Sequence, residues 1–67
     1  MTRNYLSGSI KKALIIIECV GKSPNPLKAS QVASMTKIDR ATAFRILTYL
    51  VSLGYIFKDI NNNLYSL

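Results

Sequence analysis

Histidine and tryptophan are absent from this 67-residue chain, and cysteine occurs once. Only three side chains are acidic, Glu18, Asp39 and Asp59, each in a different segment. These shortages exclude much chemistry. A single thiol forms no intramolecular disulfide. Cys19, set in an apolar run, reads as a small buried hydrophobe of a reducing compartment, the cytoplasm. A metal site has almost no ligands to draw on, so neither a metal nor a cofactor is expected. Scattered carboxylates do not suggest an acid–base pair, and the chain is expected not to be an enzyme. Long apolar runs are missing too. Residues 13–17, ALIII, follow Lys11 and Lys12, but Glu18 interrupts the run. It is shorter than the roughly 7–15 residues of a signal-peptide core and far below the roughly 20 of a membrane span, so no membrane partner is expected.

What is present is positive charge and apolar mass. Nine Lys and Arg give a net charge of +6. That balance favours a polyanion, nucleic acid before an acidic membrane surface. Since 49% of the residues are hydrophobic, the charge belongs to a folded domain and not to a disordered tail. The length allows one domain, residues 1–67. A domain of this size buries only about 60% of its unfolded surface and draws roughly 3–5 kcal/mol from its core. A partner chain would add greatly to that.

Along the chain, SGSIKKALIIIECVG reads as a first helix. Ile10, Ala13, Leu14, Ile17 and Val20 follow helical spacing and predict its core face. Ser7 or Ser9 suits the cap, and Gly21 a left-handed stop. Ile15, Ile16 and Cys19 widen the apolar stripe; they are either more core or a self-association surface. KSPNPL is a loop because its prolines forbid helix, and PLKA is expected to be extended. Ser30 is expected to cap a short second helix, QVASMT, with Val32, Ala33 and Met35 facing inward. Lys37-Ile38 makes a tight turn. Asp39 then caps a third helix running to about Leu53, where Gly54 stops it. YIFK and LYSL flank DINNN as a hairpin. A short helix, a tight turn and a longer helix form a helix-turn-helix, and the hairpin makes it winged. The expected fold is mainly α with a small β-hairpin: three helices plus a two- or three-stranded wing.

The third helix carries the functional argument. At about 100° per residue, Ala43, Ile46, Leu47, Leu50 and Leu53 share one side. The opposite side bears Ala41, Phe44, Arg45, Thr48 and Ser52, with Arg40 and Tyr49 at its edges. A solvated face would not choose an aromatic ring and a bare methyl; a surface that enters the major groove would. Arg45 suits a bidentate pair with guanine, Ala41 and Phe44 suit thymine methyls, and Thr42 and Thr48 can donate to base or phosphate. Arg40, in the first turn, suits a base edge or a phosphate clamp. Phosphate contacts are expected from Lys28, Ser30, Lys37, Tyr49 and Lys58, the first two near helix amides that favour anions. Asn61, Asn62 and Asn63 in the wing offer amides to phosphates or minor-groove edges, though turn chemistry explains the triplet equally well.

SIKKALIIIECV, PLKASQVASMTKIDRATAFRILTYLVSLGYIFKD and LYSL together resemble the DNA-binding domain of IclR-type transcriptional regulators, over residues 9 to 67. The resemblance implies recognition positions at Arg40, Ala41, Thr42, Phe44 and Arg45. Ala41 stands where that family usually has serine, Lys37 and Asn63 where glycine is common, and Leu64 where a basic residue is often found. It also implies homodimers on a palindromic operator, associated through first-helix surfaces such as Ile15, Ile16 and Cys19. The family's large effector-binding domain is not in these residues, so any effector is expected to bind elsewhere. The function expected is sequence-specific binding of double-stranded DNA by a transcriptional regulator. The alternative is a protein-interaction module anchored by Phe44 and Tyr49.

Overall fold

The computed structural model describes residues 8–67; Ser7, one of the two expected caps, lies outside them. Helix α1 spans Gly8–Lys22, α2 Ala29–Thr36 and α3 Arg40–Ser52, followed by strands β1, Phe57–Asp59, and β2, Leu64–Ser66. This is a winged helix-turn-helix. Both α1 and α2 pack against α3, and β2 packs against α1. The core they enclose runs from Ile16 and Val20 through Val32, Ala33, Ala43, Ile46, Leu47 and Leu50 to Ile56 and Tyr65. No helix among the described residues is long and apolar enough to cross a membrane.

Helix α3 starts and stops on local chemistry. The Thr42 amide donates to the Asp39 carboxylate at 3.2 Å, satisfying one of the amides a helix start leaves open. At the far end Gly54 takes φ +88°. The Gly54 amide donates to Val51 O and the Tyr55 amide to Leu50 O. That pair of bonds closes the last turn and depends on a left-handed residue, which glycine adopts freely. Leu53, the right-handed C-cap residue of α3, falls outside the core and is exposed.

Helix α1 corrects two expectations. Its buried residues are Ile16 and Val20, with Ala13, Ile17 and Cys19 packed beside them, while Ile10 and Leu14 are exposed. The core face is rotated by roughly 80° from the expected one, taking 100° per residue. The helix also runs through Gly21 to Lys22 and ends as Pro24 approaches. Gly21 is helical and lies against the tip of Leu67, whose Cδ1 would be 2.8 Å from a Cβ there.

Helix α2 begins two residues earlier than its serine suggests. Lys28 is the cap position, and the Gln31 side chain accepts from the Lys28 amide at 2.8 Å. Ser30 therefore sits inside the first turn. Val32 and Ala33 are buried, but Met35 is exposed. Lys37 closes the helix in the left-handed region, at φ 60° and ψ 32°.

The wing is an antiparallel hairpin pairing Phe57 with Ser66, Lys58 with Tyr65 and Asp59 with Leu64. Leu27 adds a third, single-residue strand against β2. The Leu27 amide donates to Tyr65 O at 2.9 Å, and the Leu27 carbonyl accepts from the Tyr65 amide at 2.7 Å. Three hydrogen bonds fix the loop 60–63. Asn61 N donates to Asp59 Oδ1 at 2.9 Å, Asn63 N to Asp59 O at 2.8 Å, and Leu64 N to Asn62 Oδ1 at 3.1 Å. Asn63 carries the positive φ, 59°, which asparagine tolerates better than most residues.

Candidate nucleic-acid interface

With Ala43, Ile46, Leu47 and Leu50 turned into the core, α3 presents the rest of its surface as a ridge. Arg40, Ala41, Phe44, Arg45, Thr48 and Tyr49 are all exposed along it. Thr42 is half-buried, its amide engaged by the Asp39 cap. Clefts open on both flanks.

The first cleft, of about 510 Å³, lies between α3, the start of α2 and the wing. It gathers Lys28, Ser30, Arg40, Phe44, Lys58, Asn62 and Asn63, which the sequence spreads over three separate segments. Three cations around one hollow, beside the open amides of α2, make it electropositive and suited to a phosphate. The Lys58 ammonium lies 5.8 Å from the centre of the Phe44 ring and 5.6 Å from that of Tyr65. Both distances are within cation–π range, so Lys58 ties the wing to the ridge. Phe44 is 50% exposed. Tyr65 is a participant that the sequence reading passed over; its alternation with Leu64 and Ser66 was the available signal.

The second cleft runs between α3 and the start of α1, and it is mostly apolar. Arg45 and Tyr49 line it with Ser9, Ile10, Ala13 and Ile46. Phe44 and Tyr49 therefore open on different clefts, being about 140° apart around the helix. Lys37 is exposed in the turn ahead of the ridge, and Asn61 is exposed at the wing tip.

The expected self-association residues divide. Ile16 is fully buried in the core of its own chain and presents nothing to a partner. The run of isoleucines fits either core or surface, and tertiary packing selects the core for Ile16. Ile15 and Cys19 line a shallow groove with Met35 and Pro24, and Leu14, which was assigned to the core, is 51% exposed. Burial pushes the Cys19 thiol up from its ordinary value, which keeps it protonated at neutral pH. Among the described residues no three His, Cys, Asp or Glu side chains come together as metal ligands.

A family model, the IclR helix-turn-helix domain, matches residues 9–59. The chain belongs to this family. Its IclR helix-turn-helix domain is also similar to the crystal structure of an IclR family transcriptional regulator from Brucella abortus. The TM-score is 0.86 at 27% identity, over 94% of this chain and 24% of that one. The chain thus spans about a quarter of the length of that regulator. No curated protein sequence matches it.

Proposed function

We propose that residues 1–67 form a module that binds double-stranded DNA in a sequence-specific manner, as the DNA-reading part of a transcriptional regulator. The observation that carries this reading is the ridge of α3, whose exposed residues are Arg, Ala, Phe and Thr, flanked by a cleft lined by Lys28, Arg40 and Lys58. In a helix-turn-helix the second helix of the motif enters the major groove. Here Arg40, Ala41, Thr42, Phe44, Arg45 and Thr48 face base edges, and Lys28, Ser30, Lys37, Tyr49 and Lys58 face phosphates. Similarity to an IclR family transcriptional regulator supports the same reading.

Dimers on a palindromic operator belong to this proposal. Leu14 and Ile15, exposed on α1, supply apolar surface for a second copy, with Cys19 beside them. Any effector binds outside these residues.

Selection of bound sequences from random duplexes tests the reading. A defined site is expected, and two-fold symmetry within it would support the dimer. Affinity should fall with salt at a log–log slope of about −0.9 per phosphate neutralised. Arg45→Ala should flatten preference at one position, losing about 1–3 kcal/mol. Lys28→Ala should weaken all sequences alike and reduce the slope by about one. Failure to retard any duplex at low salt overturns the proposal.

A further inference from the structure

Lys58 lies on the face of the wing turned to α3, between two aromatic rings. Strand β1 exposes Phe57 and half-buries Lys58, since successive side chains point to opposite faces. Across the hairpin Lys58 pairs directly with Tyr65, a pairing that brings side chains together. Tyr65 is only 2% exposed, and its amide and carbonyl are both bonded to Leu27, so its ring is a fixed post. The Lys58 ammonium lies 5.6 Å from the centre of that ring and 5.8 Å from that of Phe44 on α3. Asp59 and Asp39 hold backbone amides instead, the first that of Asn61 and the second that of Thr42. It is rings that the ammonium approaches.

Phe44 has the opposite character. It stands on the α3 ridge, half-exposed, outside the core and outside the side chains packed against it. A ring on a helix has two favoured χ1 wells, and only one orientation can meet a given thymine methyl in the major groove. The wrong orientation has to be given up on binding, a cost that preorganisation removes beforehand. A cation over the ring face favours the orientation that keeps the two in contact. Lys58 therefore couples a rigid element, Tyr65, to a ring that the core does not fix.

We infer that Lys58 is a positioning residue for sequence recognition: anchored on Tyr65, it orients Phe44 toward its base pair, so that the wing governs which base α3 prefers there. The inference rests on the proposed DNA-binding reading and gives Lys58 a role beyond its phosphate contact. A phosphate contact carries no sequence information directly, whereas a positioning lysine changes discrimination.

The test uses the 67-residue chain and a duplex selected by the wild-type domain, varied at the pair where Phe44→Leu alters preference. Lys58→Met keeps an unbranched stem and loses the charge. It should lower the preference at that pair about two- to fivefold, the scale of an exposed cation–π contact, besides weakening all sequences. Lys58→Arg keeps a cation that stacks on rings and should retain the preference. In a Phe44→Leu background, Lys58→Met should weaken binding and change the preference no further. Lys28→Ala, the comparison, should leave the preference intact. Ring currents give a reading without DNA. The Lys58 ε-methylene protons should resonate upfield of those of the other lysines, and Phe44→Leu should move them downfield. The inference is overturned if Lys58→Met weakens all sequences and retains the preference, or if it alters preference as much without the Phe44 ring. It is equally overturned if Phe44→Leu alters preference at no pair, or leaves the ε-protons unmoved. In each case the DNA-binding reading stands as long as Arg45→Ala loses sequence preference. If Arg45→Ala behaves as wild type, or no duplex binds, that reading fails and this inference fails with it.

Discussion

Helices α1 and α3 are both amphipathic and lie against each other, yet they use their surfaces in opposite ways. Helix α3 buries four apolar residues cleanly and exposes a mixed ridge. Helix α1 buries only Ile16 and Val20 among its 15 residues, and leaves Leu14 and Ile15 uncovered. The polar residues make the difference. In α3, Arg40, Arg45 and Thr48 oblige one side to face water or a polyanion, so the apolar side has one possible orientation. In α1 the run of apolar residues from Ala13 to Ile17 goes round the helix, and tertiary packing decides which of them are enclosed. An apolar side chain states a preference for burial; a charged one states a prohibition, and prohibitions orient helices.

The comparison can be broken most severely at Ile16. Ile16→Ala, at a fully buried site, should lower unfolding free energy by about 2–5 kcal/mol. Leu14→Ala, at a half-exposed one, should lower it by less than about 1 kcal/mol. Denaturant titration of the two variants measures the difference, and equal losses would mean that α1 is oriented differently. The helix ends sharpen the contrast on a smaller scale. Gly54→Ala forces a side chain into the left-handed conformation that closes α3, and should cost about 1 kcal/mol. Gly21→Ala should be neutral or stabilising by up to about 1 kcal/mol, because alanine favours helix and the atom it meets is the movable tip of Leu67. A similarly small effect is expected in the turn between α2 and α3. Lys37→Gly relieves a left-handed lysine and should raise stability by about 0.5–1 kcal/mol, while removing one expected phosphate contact. A rise in thermal midpoint with weaker DNA binding is the result to look for.

The winged helix-turn-helix was legible because its punctuation is chemical. Asp39 and Gly54 bracket α3, proline breaks the loop after α1, and asparagines mark the hairpin. The ridge was legible for the same reason, since Phe44 and Arg45 are conspicuous opposite a clean apolar face. What escaped depended on distant partners. Lys28 caps α2 because Gln31 reaches back to it, where Ser30 looked the better cap. Gly21 reads as a stop until Leu67 is seen against it. The association of Lys58 with Phe44 and Tyr65 has no local signature.

The bridge between Leu27 and Tyr65 has a consequence for the order of assembly. The helix pairs form from segments close in sequence, whereas this bridge joins Leu27 to Tyr65, 38 positions further on. Closing so long a loop carries an entropic penalty that slows non-local pairing. On a ribosome the three helices would emerge and condense first, and the hollow beside α3 would acquire its far wall only when residues 64–66 arrived. A chain halted before them would keep a reading helix and lack the clamp that grips the backbone beside it.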